Sequence, residues 1–99
     1  MRLSHSPDWS SVTIDGTVYP LSVMQGKIVR ALWQAAQRGN PCLHTATLLT
    51  MCQSSGNRIF DLFRTPTGKR FIPYIKQGPR GVYRLAFATE LMPNQSVEH

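Results

Sequence analysis

The chain has 99 residues, 41% hydrophobic and 16% charged, with eleven Lys and Arg against five Asp and Glu for a net charge of +6. That length sets a single domain able to bury roughly 60–70% of its unfolded surface, and the composition argues against wholesale disorder. No apolar run approaches the ~18 residues of a membrane span, residues 1–7 lack the apolar stretch of a signal peptide, and two cysteines cannot build a disulfide framework, so a soluble, cytoplasmic, basic domain with a polyanionic partner is expected.

Residues 1–11 show no periodicity and are expected to form an irregular arm, with Trp9 anchoring it to the domain. Two β-prone triplets follow, Val12-Thr13-Ile14 and Thr17-Val18-Tyr19, separated by Asp15-Gly16. An Asp-Gly pair supplies the positive φ angles of a two-residue hairpin turn, and Pro20 closes the second strand. Ser22 with Gln25 three residues later makes a capping box, which starts a helix over 22–38. Met24, Ile28, Leu32 and Ala35 recur along it at helical spacing, flanked by Val29, Ala31 and Ala36. Arg38 complements the dipole at the last turn, Gly39 suits the left-handed position just beyond, and Asn40-Pro41 stops the helix.

A short extended link leads to a second helix, capped by Thr45 and containing Leu48, Leu49 and Cys52. The polar segment 53–57 fits a tight turn and a new cap. A third helix then carries Ile59, Leu62 and Phe63 on one face and must end by Thr65, since Pro66 disfavours helical geometry before it. Two short helices about such a turn form a helix-turn-helix pattern. Residues 71–76 and 82–87 predict β-strands joined by the basic loop Gln77-Gly78-Pro79-Arg80-Gly81, with Pro73 marking an edge strand or a bulge. The polar residues 89–99 are expected to be a loose tail.

Charge is concentrated late in the chain. Residues 58–84 hold Arg58, Arg64, Lys69, Arg70, Lys76, Arg80 and Arg84 against Asp61 alone, so this segment carries the whole net charge. Elsewhere four cations balance four acids. A basic run coinciding with defined elements points to a binding surface.

Hairpin, long helix, helix-turn-helix and basic hairpin, in that order, resemble a winged-helix DNA-binding domain from Val12 to Leu85. The resemblance is to the effector domains of OmpR/PhoB-type response regulators, without a receiver domain. It is carried by Asp15-Gly16 followed by Leu21, the helix 22–38, and the closing Gly78-Pro79-Arg80-Gly81-Val82-Tyr83-Arg84-Leu85. It implies an α+β winged helix-turn-helix with an N-terminal hairpin, three helices and a C-terminal wing. The expected division is an arm over 1–11, the winged-helix domain over 12–87 and a tail over 88–99. The implied function is sequence-specific binding of double-stranded DNA, as in a small transcriptional regulator of bacterial or phage type.

With Ile59, Leu62 and Phe63 inward, Asn57, Asp61 and Arg64 project outward, flanked by Ser54 and Arg58. Such a face can enter the major groove, where Arg reads guanine, Asn reads adenine, and Asp accepts from cytosine or orients a neighbouring Arg. Lys76 and Arg80 on the wing suit phosphates or the minor groove, and Lys69 and Arg70 suit backbone contacts. Arg84, inside its strand beside Tyr83, is expected to be structural. The start of the second helix, near Thr45, offers backbone amides to a phosphate.

Cys42, His44, Cys52 and His5 lack the paired spacing of a zinc site, and both cysteines are expected to be small buried residues. Thr67-Gly68-Lys69 lacks the upstream glycine and following helix of a phosphate-binding loop. Trp33, Phe60, Met24 and Met51 are expected in the core. No spacing argues for catalysis, so no enzyme, cofactor or small-molecule substrate is expected. The expected partner is duplex DNA, with binding as a homodimer on repeated half-sites left open by a sequence that shows no dimer seam; no membrane is implied. The competing function is a winged helix used for protein–protein contact within a larger assembly. RNA ranks third, because the strands present no aromatic stacking platform.

Overall fold

In the computed structural model, which describes residues 2–51 and 59–92, three short strands form the first antiparallel sheet. β1 (Leu3–His5), β2 (Ser11–Ile14) and β3 (Thr17–Pro20) lie in that order across it. Asp15 and Gly16 adopt φ of 50° and 86°, the left-handed pair that an Asp-Gly hairpin turn requires. The register sets Val12 opposite Tyr19 and Ile14 opposite Thr17, which turns Val12 and Ile14 into the core. The arm expected over 1–11 differs from expectation, because Leu3 pairs with Ile14 and His5 with Val12. β2 has two edges, and the first belongs to β1. Asp15 also accepts the Arg2 amide at 2.7 Å and donates its own amide to the Arg2 carbonyl.

α1 (Val23–Gln37) starts as the sequence predicts. The Ser22 hydroxyl accepts the Gln25 amide and the Gln25 side chain accepts the Ser22 amide, completing the capping box. Gly39, at φ 85°, closes its C-terminal end. Ile28, Val29, Ala31, Leu32, Trp33, Ala35 and Ala36 are buried along one face. Trp9 does anchor its loop: its ring meets Trp33 edge-on at 5.3 Å and stacks on His5 at 3.6 Å.

β4 (Leu43–His44) and α2 (Thr45–Met51) follow directly. The second sheet has the order β4, β6, β5, with β5 (Ile75–Gln77) and β6 (Val82–Leu85) as its hairpin. Both strands are shorter than predicted. Ile72–Tyr74 forms a 3₁₀ turn, because Pro73 lacks the amide a ladder would use. Phe87 and Ala88 leave the strand direction to bury themselves, and Ala88–Leu91 forms α3 against α1 rather than the start of a loose tail.

The described part of the third predicted helix is the 3₁₀ turn Phe60–Phe63, with Ile59 and Phe63 fully buried and Leu62 partly so. Pro66 explains why it does not continue as an α-helix: it has no amide to give the Leu62 carbonyl. That carbonyl is taken instead by Gln25 Nε2 at 2.9 Å. The architecture is α+β, with a core in which α1 packs against the second sheet, α2, α3 and the Phe60–Phe63 turn.

Candidate nucleic-acid interface

Gln25 is the residue from which the basic segment is positioned. It is 1% exposed, and each side-chain polar atom has a partner. Oε1 accepts from the Ser22 amide, while Nε2 donates to the Leu62 carbonyl and to Thr65 Oγ1 at 3.0 Å. Thr65 Oγ1 also accepts the Gly68 amide at 2.9 Å. Gly68 has to lack a side chain, since a Cβ there would lie 2.7 Å from Thr65 Oγ1 and 2.9 Å from the Phe63 carbonyl oxygen. One buried amide thus fixes both ends of the turn that precedes Lys69 and Arg70. Burying it without these partners would cost about 1–3 kcal/mol per orphaned group. The sequence carried a signal for this role: position 25 projects onto the same helix face as Ile28 and Leu32.

Arg64, Lys69, Arg70, Lys76, Arg80 and Arg84 are all exposed. Asp61 faces Arg64, with Arg64 Nε 3.2 Å from Asp61 Oδ1, so this acid orients its neighbour. Both groups are well solvated, and such a pair contributes ~0–1 kcal/mol. Arg70 lies over the Tyr19 ring at 5.9 Å, and the Tyr19 hydroxyl meets the Tyr74 hydroxyl at 2.9 Å. The Tyr19 hydrogen bond, followed by burial, raises the Tyr74 pKa above that of a free phenol. These contacts link the first sheet to the base of the second. Ser54, Asn57 and Arg58, expected to read bases or flank the reading face, lie outside the described residues.

The hairpin places three cations more sharply than the sequence did. β5 and β6 pair with Ile75 opposite Leu85 and Lys76 opposite Arg84. Ile75 and Leu85 are buried, so Lys76 and Arg84 share the outward face. Arg84 is therefore a surface residue and not the structural one expected. Directly opposed cations repel at a Cβ separation of about 5 Å. Among the described residues neither is paired with a carboxylate. Cys42, expected to be buried, is exposed and lines a hollow of about 440 Å³ together with Lys76, Gln77, Tyr83 and Arg84. At the hairpin tip Arg80 has φ 60° and Gly81 φ 73°. Left-handed geometry at a non-glycine residue costs about 1–2 kcal/mol, and here it falls on an exposed arginine. Thr45 Oγ1 donates to the Gly81 carbonyl at 2.8 Å, tying the start of α2 to the hairpin.

That bond differs from the capping role expected of Thr45. The Ala46 amide is taken by His44 Nδ1 at 3.2 Å, so it is not open to a phosphate there. Met51, expected in the core, is 51% exposed, whereas Met24 and Phe60 are partly buried and Trp33 is buried. Among the described residues no group of three His, Cys, Asp or Glu side chains could hold a metal, and no helix is long and apolar enough to cross a membrane. No family model, curated protein or solved structure matches the chain, so its functional reading rests on its own residues.

Proposed function

We propose that the chain binds double-stranded DNA in a sequence-specific way, as a winged-helix transcriptional regulator, with its basic hairpin on the phosphates or in the minor groove. The observation that carries this reading is the pair Lys76 and Arg84, held face to face by strand register with no acid partner among the described residues. Folding gains nothing from that juxtaposition, whereas a polyanion neutralises both charges. Arg80 extends the same hairpin, and Arg64, Lys69 and Arg70 add three more exposed cations. The charge-paired Asp61–Arg64 edge supplies both a donor and an acceptor for base edges.

Selection from random duplexes followed by a salt titration of the winner tests this. Engagement of about 4–6 phosphates gives a log–log slope of roughly −4 to −5. Reversing the opposed pair, Lys76→Glu with Arg84→Glu, should lower the slope by about 2 and weaken preferred and random duplexes alike. Salt-independent affinity, or no duplex binding at low salt, would overturn the proposal.

A further inference from the structure

A second cluster of cations, unpaired among the described residues, lies on α1, outside the basic segment 58–84. Val23, Lys27, Arg30 and Gln34 fall within about 60° of arc at ~100° per residue, forming one stripe. Val23 is 78% exposed, and Lys27 and Arg30 are exposed with no ion pair among the described residues. Two hollows adjoin the stripe, and Lys27 and Arg30 line both. One, about 280 Å³, is also lined by Trp9, Leu21, Val23 and Gly26; the other, about 290 Å³, by Ala31, Gln34 and the half-exposed Met51. The two cations thus stand between a mainly apolar depression and a mixed one whose apolar wall is Ala31 and Met51.

Duplex DNA would use the charges and leave the depressions empty. A peptide bearing carboxylates between apolar side chains uses both. We infer that this face of α1 docks a short acidic, apolar-studded segment of a partner protein, with carboxylates on Lys27 and Arg30 and one apolar side chain in each hollow. Asp8 also lines the first hollow as an ionised carboxylate, its Oδ1 accepting from the Ser6 hydroxyl at 2.9 Å and the Ser10 amide at 3.1 Å, so that hollow takes the segment's apolar side chain while its carboxylates sit on Lys27 and Arg30. The stripe from Val23 to Gln34 is ~17 Å long, which an extended segment of about six residues covers. This surface is separate from the hairpin and stands whether or not the hairpin binds DNA.

The test uses the full chain and a fluorescein-labelled synthetic peptide of about eight residues, in which aspartates alternate with leucine and phenylalanine. Anisotropy should show binding that weakens about ten-fold or more in Lys27→Glu/Arg30→Glu and several-fold in Val23→Ser/Met51→Ser, both checked for folding by thermal melt. An asparagine-for-aspartate peptide should bind far less, and so should a serine-for-leucine-and-phenylalanine peptide. The matched charge reversal Lys76→Glu/Arg84→Glu should leave peptide affinity within about two-fold. Equal loss from both reversals would mean general attraction to a basic protein and would overturn the inference. So would indifference to the Val23 and Met51 changes, or a loss of duplex binding in Lys27→Glu/Arg30→Glu with peptide binding intact, which would assign the face to nucleic acid.

Discussion

Replacing Gln25 tests the claim that one buried amide holds the basic segment in place. In Gln25→Leu the volume is nearly kept, but three hydrogen bonds are lost, those to the Ser22 amide, the Leu62 carbonyl and Thr65 Oγ1. Ser22 is exposed, so water can replace its partner, and Thr65 Oγ1 keeps the Gly68 amide. The Leu62 carbonyl has no such substitute, because Pro66 carries no amide. One orphaned acceptor plus a broken capping box sums to about 2–4 kcal/mol. At 4–8 °C per kcal/mol for a domain near this size, the melting temperature should fall by roughly 8–32 °C. Gln25→Glu sharpens the test. Its oxygen can still accept from Ser22, but the ionised carboxylate would face the Leu62 carbonyl, acceptor against acceptor. Only the protonated form can donate there, so the folded pKa of this glutamate is raised. The ionisation penalty is then full above the folded pKa, shrinks as pH falls through it and is gone below the unfolded value, leaving only the loss of one of the two bonds that Nε2 donates. Thermal melts of wild type and both variants across pH 4–8 provide the assay, covering roughly the ordinary to the strongly raised glutamate range. A Gln25→Leu melting temperature within about 3 °C of wild type, or a Gln25→Glu deficit independent of pH, would refute the reasoning.

Gly26→Ala sets helix propensity against packing: the gain of about 1 kcal/mol is outweighed by the Trp9 carbonyl oxygen, well inside van der Waals contact with the new Cβ, for a net loss of about 1–2 kcal/mol. A melting temperature that rose would show that the Trp9 loop yields freely. Arg80→Gly should stabilise the fold by about 0.5–1 kcal/mol, relief of left-handed strain exceeding the added chain entropy, while it weakens all duplexes and lowers the salt slope by about 1. Melts and salt titrations on the same sample check that stability and affinity move in opposite directions. The Ser10 hydroxyl, Ser10 amide and Ser6 hydroxyl hold the Asp8 carboxyl below the usual aspartate range. A depressed pKa favours folding above the unfolded value and loses that contribution as pH falls through the folded one. The loop should therefore loosen only in acid below the ordinary aspartate pKa, seen as a change in Trp9 fluorescence that Asp8→Asn lacks.

Local chemistry was legible in the sequence wherever adjacent residues decide it. Asp15-Gly16 dictates a turn whatever surrounds it, Ser22 and Gln25 cap a helix within a single turn, and Gly39 ends it by tolerating a positive φ. The basic segment was visible for the same reason, since charge is a property of each side chain. Tertiary structure decided everything that depends on a partner distant in the chain. Leu3–His5 has no strand signature of its own and becomes a strand because the edge of β2 needs hydrogen bonds. Gln25 is polar by composition, yet it is core because Leu62 and Thr65, 37 and 40 residues away, complete its hydrogen bonds. Arg84 reads as structural from its neighbour Tyr83, but the alternation of β6 sends the two to opposite faces, and strand register then sets Arg84 against Lys76. Side-chain type fixed which groups were charged; pairing between strands fixed which of those charges face each other, because register is a relation between segments that neither contains alone.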